Sequence, residues 1–161
     1  MPKSTLIPLL LGACVLAGPA AAQEYSLDHF GPWSLLHSSS GCLGTYTRES
    51  QAFQIHASSD EEGLIALKSD STRAFRNDET VPIMMTWVFA DGQSMDVDIE
   101  MTVVGGSTAF QAPLERSIVV LRTGPRITAT HNGQSIYDLH LPADADSDRF
   151  YDAFAACRRN E

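Results

Sequence analysis

The chain has 161 residues, of which 43% are hydrophobic, and its twenty acidic and eleven basic side chains give a net charge of −9 at pH 7. This acidity argues against nucleic acids and anionic lipid surfaces as partners, because both recruit positively charged patches. The length suits one domain with one modest hydrophobic core.

Residues 1–22 have the three regions of a secretory signal peptide. Lys3 supplies the early positive charge, "LIPLLLGACVLAG" the apolar run and "PAAA" the small residues at the cleavage site. We expect cleavage near Ala22 and a single exported domain, periplasmic or secreted, over residues 23–161. Alternatively, "LGAC" is a lipobox that makes Cys14 a lipidated N-terminus. No other stretch offers the ~18 consecutive apolar residues of a membrane span.

The segment "HSSSGC" places His37 beside three serines, which raises the question of a serine hydrolase. Such a site needs a serine on a strained turn, an acid behind the histidine and an oxyanion hole, and the segment lacks the G-x-S-x-G motif. We interpret residues 38–41 as a polar turn between the strands "WSLLH" and "CLGTY". Trp33, at the start of the first strand, is expected in the core or at its edge.

Alternating apolar residues predict further strands. "AFQIHAS" and "GLIALKS" flank the polar turn "SDEEG", and residues 81–104 repeat an apolar side chain at every second position on both sides of Asp91 and Gly92. A two-residue turn there would place Trp87 opposite Asp96. We therefore predict a three-residue loop, residues 90–92, which places Trp87 opposite Met95 and keeps the apolar face continuous.

The rest of the chain predicts two short helices and a second hairpin. "APLERSIVVLRTGP" has Pro113 at a first helical turn and an apolar stripe, and Gly124 and Pro125 end it. "RITAT" and "SIYDLHL" flank the turn "HNGQ". The last helix lies in "DRFYDAFAACRR", with Asp146, Ser147 or Asp148 as its N-cap. The predicted fold is α+β and β-rich: a largely antiparallel sheet with two short helices packed on it.

Two cysteines, Cys42 and Cys157, remain after cleavage of the signal peptide. In an oxidising compartment a thiol pair normally forms a disulfide, and two cysteines allow one intramolecular pairing. The last predicted helix supports it, because Phe150, Ala153, Phe154 and Cys157 recur at helical spacing and place Cys157 on the buried stripe. The alternatives are a metal site or a nucleophilic cysteine, but the close C-x-x-C pairs of zinc modules are missing.

Two acidic patterns are candidate binding sites. Asp96, Asp98 and Glu100 alternate along one strand and so share one face, where they form an acidic interaction face for a cation or a basic partner, or else a solvated sheet face. "DADSD" (residues 144–148) has the first spacings of a calcium loop but lacks its later glycine and glutamate, so helix capping explains it more simply.

The remaining motifs assign no cofactor and no metal. The five histidines have no metal-ligand spacing, with His131 expected in a turn, and the chain has no phosphate loop, dinucleotide fingerprint or haem motif. The sequence leaves a small-molecule ligand open.

Four features of the sequence carry a family resemblance: "FGPW", Cys42 shortly after it, "LERSIVVLRTGPRITAT" and the closing "LHLPADADSDRFYDAFAAC". They resemble the invasion-associated locus B family of small exported alphaproteobacterial proteins. The chain has His37 where that family often carries a cysteine. The resemblance implies a periplasmic or envelope-associated, mostly β protein without a known catalytic constellation.

Three functional hypotheses follow. The first is a non-enzymatic bacterial envelope protein that binds another envelope or secreted protein through a sheet edge or an exposed hairpin. The second is an inhibitor or immunity-type module against an envelope hydrolase. The third is a small hydrolase using dispersed residues such as His56 and Asp96, ranked last because no nucleophile and base can be paired.

Overall fold

Ten antiparallel strands form one sheet in the computed structural model, which describes residues 25–57 and 62–159. The strands are β1 (Ser26–Phe30), β2 (Trp33–Ser38), β3 (Gly41–Arg48), β4 (Gln51–Ala57), β5 (Glu62–Lys68), β6 (Thr80–Val88), β7 (Ser94–Val104), β8 (Ser107–Pro113), β9 (Arg126–His131) and β10 (Gln134–His140). Helix α1 (Leu114–Leu121) follows β8, and α2 (Ala145–Arg159) follows β10. The predicted signal peptide and Cys14 lie outside the described residues.

The strand order is β1-β2-β3-β4-β5-β8-β7-β6-β9-β10, and the sheet curls so that β10 returns to β4. Tyr137 on β10 donates a hydrogen bond from its hydroxyl to the carbonyl of Ala52 on β4, 3.3 Å away. Nearby, the Ser69 hydroxyl after β5 donates to the carbonyl of Ile136 over 2.6 Å. Burial raises the pKa of the Tyr137 phenol. The curl encloses the hydrophobic core.

The predicted hairpin of residues 81–104 is confirmed in its register. Trp87 lies opposite Met95, and the Phe89 amide donates to the carbonyl of Gln93 over 2.9 Å, which closes the three-residue loop. Gly92 has a φ of +82°, the left-handed conformation that this loop requires. The hairpin around Asn132 is likewise present between β9 and β10.

Two strands of the sheet, β1 and β8, are not among the elements that the sequence predicts. β1 pairs with β2 along its whole length, yet its residues are mostly exposed, so no alternation of apolar residues reveals it. β8 follows a turn at Gly105 and Gly106, whose φ angles are +58° and +77°. A two-residue Gly-Gly turn is a hairpin signal, and here it follows directly on the apolar alternation of β7.

Helix α2 packs on β1, β2 and β3 through a cluster of aromatic side chains. The Trp33 ring is fully buried and stacks on Phe150, with centroids 4.2 Å apart. Gly44 on β3 makes room for this contact, because a Cβ there would lie 2.3 Å from the Phe150 ring. Phe150, Phe154 and Cys157 are buried, as the helical spacing predicts.

The predicted N-cap of α2 is wrong. The helix begins at Ala145, three residues earlier than expected, and Asp144 accepts hydrogen bonds from the backbone amide and the hydroxyl of Ser147, both over 2.9 Å. Ser147 in turn accepts a hydrogen bond from the Trp33 indole over 3.1 Å. The cap is therefore tied to the aromatic cluster, a tertiary contact that local sequence cannot show. At 15 residues α2 is also longer than the short helix expected.

A disulfide joins Cys42 on β3 to Cys157 on α2 across 115 positions of sequence, as predicted. A second link holds α2 at its exposed side: Arg122, just after α1, pairs with Asp152 over 2.5 Å and with Asp148 over 3.5 Å. The two helices and the sheet together make a fold that is mostly β, so the α+β class holds in its coarse form.

Candidate functional site

The acidic residues of β7 lie on the outer face of the β6–β7 hairpin. Asp96, Asp98 and Glu100 are all exposed, and the β6 residues opposite them are Thr86, Met84 and Pro82. The Thr86 hydroxyl donates to the Asp96 carboxylate over 2.6 Å. Because strand side chains alternate between faces, the three carboxylates point the same way, opposite to the buried side of the sheet.

β7 is paired on both sides only at its end. It pairs with β6 from Ser94 to Thr102, but with β8 only through residues 102–104. Within the described residues, no strand lies beside residues 94–100 on the side away from β6. We call this stretch the β7 edge. β8 runs on along β5 instead, so the sheet opens between β7 and β8.

The backbone of the β7 edge presents hydrogen-bonding groups outward. The Phe89–Gln93 and Glu79–Val103 hydrogen bonds show that the odd-numbered residues of β7 direct their amides and carbonyls to β6. In an antiparallel ladder the residues between them direct theirs to the other side. The outward groups therefore belong to Ser94, Asp96, Asp98 and Glu100, and the last three also carry the acidic face.

The inner face of the β7 edge is apolar and incompletely covered. Met95 is 47% exposed, and Val97 and Ile99 are half-buried. Their β6 partners are buried, with Trp87 only 6% exposed. A strand beside β7 would thus meet carboxylates on one face and apolar side chains on the other.

A depression of about 440 Å³ lies on the outer face of the sheet, between the β7 edge and β9. Asp98 and Glu100 line it on the β7 side, Met84 and Pro82 contribute from β6, and Thr130 and Asn132 line the far side. Met84 is 48% exposed, which is unusual for a methionine in the middle of a paired strand. The depression combines two carboxylates with an apolar surface.

The serine-rich segment forms the turn that the sequence predicts. Ser38 and Gly41 are paired across the β2–β3 hairpin. One hydrogen bond joins the Ser38 and Ser40 hydroxyls, which lie 2.7 Å apart. Ser38 also donates to the Gly41 carbonyl over 3.4 Å. These hydroxyls stabilise the turn.

His56 and Asp96, named together for the hydrolase hypothesis, are not brought together. His56 lies on β4, and strands β5 and β8 separate β4 from β7 in the sheet. Asp96 accepts its hydrogen bond from Thr86 on the neighbouring strand instead.

The acids of the "DADSD" segment are engaged at the start of α2. Asp144 caps the helix, and hydrogen bonds from the Ser147 amide and hydroxyl lower the pKa of its carboxyl. Asp146 pairs with Arg149, and Asp148 with Arg122. Among residues 25–57 and 62–159, no group of three or more histidine, cysteine or acidic side chains could hold a metal ion.

His131 is the last residue of β9 and pairs with Gln134, so it is the first residue of the predicted four-residue turn around Asn132 and Gly133. One ring nitrogen, Nδ1, lies 2.8 Å from the Pro82 carbonyl, and the other contacts the Asn132 side chain at 3.0 Å. Its ring also meets Phe75 edge-on at 5.2 Å. Asn132 and Gly133 are the two central residues of this turn, with φ angles of +51° and +76°.

The acidic face follows from the sequence, but the free edge beside it does not. The free edge depends on where β8 ends its pairing, and β8 was not predicted. The Gly-Gly turn at residues 105–106 is the signal that could have found β8, whereas the point at which β8 leaves β7 has no local signal. Within the described residues, neither helix has the length and hydrophobicity of a membrane span.

No family model, curated protein or solved structure matches the chain significantly.

Proposed function

We propose that this chain is a non-enzymatic protein-binding module of the bacterial envelope that takes up an extended segment of a partner protein at the β7 edge. The observation that carries the proposal is that residues 94–100 have no neighbouring strand on the side away from β6. Their outward amides and carbonyls match those of an added strand. Export is part of the proposal, and the Cys42–Cys157 disulfide supports it because such bonds persist in oxidising compartments.

The accessible side chains also favour binding. An exposed sheet edge with apolar residues is a liability unless it is protected, since it can pair with other chains. Charged side chains are one protection, and the three acids of β7 supply it on the outer face only. The half-buried apolar inner face remains available to a matching strand.

The resemblance to the invasion-associated locus B family is part of the same proposal. "FGPW" contributes Trp33, which anchors α2, and the closing segment contributes Phe150 and Cys157. In this structure "FGPW" and the closing segment build the junction between the sheet and α2, "LERSIVVLRTGPRITAT" forms α1 and β9, and none of these motifs lies at the β7 edge. They support a shared scaffold, while the binding edge is argued from this chain alone.

The test is site-specific photocrosslinking in cells that produce the protein naturally. A photoreactive residue replaces Met95 at the edge, or Val119 on α1, which is 67% exposed and serves as the control position. We expect a protein adduct at position 95 and none of the same mass at position 119. The adduct is then identified by mass spectrometry.

The crosslink is repeated with a second change that blocks strand addition. Asp98→Pro removes an amide that points away from β6, and edge strands tolerate proline at such positions. Asp98→Asn is the matched control, because it also removes the charge but keeps the backbone amide. We expect Asp98→Pro to abolish the adduct and Asp98→Asn to retain it. An adduct that survives Asp98→Pro would show that binding does not use the edge backbone.

A further inference from the structure

We infer that the segment taken up at the β7 edge is a short strand in which basic and apolar residues alternate. The inference rests on the proposed strand addition and names the class of partner. Neighbouring strands place opposing side chains on the same face, about 5 Å apart. Partner residues opposite Asp96, Asp98 and Glu100 therefore meet carboxylates, and the residues between them meet Val97 and Ile99.

Charge complementarity selects the basic face of this strand. Three carboxylates at every second position form a row of like charges, and opposite charges across a strand pair stabilise it. An acidic strand would be repelled, and a neutral one would leave the acids uncompensated. The partner residues between the basic ones are expected to be apolar. They face the inner side of the sheet, where Met95 is 47% exposed and its burial by a partner is favourable.

The depression on the outer face favours long cationic side chains. A lysine or arginine of the partner starts about 5 Å beyond β7 and extends across it towards β6. There Asp98 and Glu100 provide charge and Met84 provides an apolar surface. Such side chains bury an apolar stem and keep a charged end, so both parts of the residue are matched.

A second copy of this chain does not fit the edge. Two β7 edges that pair antiparallel about Asp98 would place Asp98 against Asp98 and Asp96 against Glu100. Like charges directly opposite are destabilising, and a shift by two residues brings further acids together. The net charge of −9 adds to the repulsion. Pairing of two β7 edges with each other is therefore disfavoured, and the proposed occupant is a basic segment of a different chain.

The length of the occupant follows from the ladder. The edge spans residues 94–100, and β8 takes over the pairing at Thr102. A strand of five to seven residues fills this stretch. Longer segments must turn away from the sheet at that point, so the partner supplies the strand from a flexible region or an exposed edge of its own.

The experiment uses three seven-residue peptides with blocked ends and the mature chain, residues 23–161. The probes are Lys-Val-Lys-Val-Lys-Val-Lys and the same peptide with serine or glutamate in place of every lysine. Binding is followed by NMR shifts of the β7 amides at low salt. We expect the lysine peptide to bind at least about tenfold more tightly than the serine peptide, and the glutamate peptide not to bind.

Two further readouts separate this inference from the proposed function. Raising the salt concentration should shrink the lysine peptide's advantage, since screening weakens exposed charge pairs. Asp98→Pro should abolish the shifts for every peptide. If the serine peptide binds as tightly as the lysine peptide, strand addition stands and the basic partner is wrong. If no peptide shifts the β7 amides, or if the protein dimerises through β7, both are wrong.

Discussion

Trp33 stacks on Phe150 with an angle of 14° between the ring planes, and this contact joins the beginning of the described sheet to its last helix. Trp33 also contacts Tyr46, Phe53 and Tyr151, so one indole holds an aromatic cluster together. The cluster fixes α2 over β2 and β3, in another part of the sheet from the β7 edge.

Adding one methyl group at Gly44 should destabilise this junction. The Cβ of Gly44→Ala would lie 2.3 Å from the Phe150 ring, too close for any real contact, so the ring must move. We expect the free energy of unfolding to fall by about 1–3 kcal/mol, measured by urea titration. Phe150→Leu is the matched second change, because it shortens the side chain that Gly44→Ala strikes. The double variant should lose less than the sum of the single changes, whereas strict additivity would contradict the packing described here.

Removing the disulfide should lower the free energy of unfolding by more than the loss of any single contact does. Replacing Cys42 and Cys157 by serine frees a loop of 115 positions in the unfolded chain, for which the chain-entropy model predicts a loss of about 4–5 kcal/mol. Thermal unfolding with and without reductant measures the contribution of the disulfide as a shift in melting temperature. The reductant should lower the melting temperature of the wild-type protein and leave the double-serine variant unchanged.

The N-cap of α2 should contribute to stability in a pH-dependent way. Hydrogen bonds from Ser147 hold the pKa of the Asp144 carboxyl below its ordinary value of 3.8. A carboxyl whose pKa is lowered by folding stabilises the protein above the unfolded pKa, and this contribution is lost as the pH falls through the folded pKa. The affected window therefore lies below about pH 4.

Two substitutions separate the cap from its charge. Asp144→Ala should cost about 1 kcal/mol at neutral pH, where Asp144→Asn should cost less because asparagine is also a good cap. Urea titrations from pH 2.5 to 7 should show a shallower acid dependence for Asp144→Asn than for the wild type. Some dependence remains, because Arg126 lowers the pKa of the Asp138 carboxyl through a hydrogen bond. An unchanged acid dependence in Asp144→Asn would contradict the assigned hydrogen bonds.

Amide hydrogen exchange tests the β7 edge without any partner. The amides of Asp96, Asp98 and Glu100 point away from β6, and we expect them to exchange fast. The amides of Val97 and Ile99 bond to β6 and should be protected. This alternation, resolved residue by residue in NMR spectra, identifies a free edge. Uniform protection along β7 would mean that another segment of the chain covers it.

The sequence predicts the β2–β3, β6–β7 and β9–β10 hairpins because their turn and alternation signals are local, but it does not predict the hairpins that β1 and β8 form. The register of β6 and β7 follows from one comparison, Trp87 against Met95 or Asp96, and the structure has the predicted pairing. The cysteine pairing follows from compartment and count. The acidic face could be located because alternation on a strand is a local property.

What the sequence does not contain is the order of strands that are distant in the chain. β8 lies between β5 and β7, and that placement decides which part of β7 is left unpaired. The cap at Asp144 depends on Ser147, whose hydroxyl is held by Trp33, 114 residues away. Both features come from tertiary packing, which overrides the local signals that pointed to a cap one turn later.

The crosslink between β3 and α2 also constrains how the protein can be made. Cys42 is synthesised early and Cys157 comes after the last strand of the sheet, so the bond cannot form until nearly all of the described chain has been made. Until then Cys42 is an unpaired thiol that thiol oxidoreductases can capture in a mixed disulfide. A chain cut short before α2 keeps that thiol permanently, which marks it chemically as incomplete and gives quality-control enzymes a handle to distinguish it from the finished molecule.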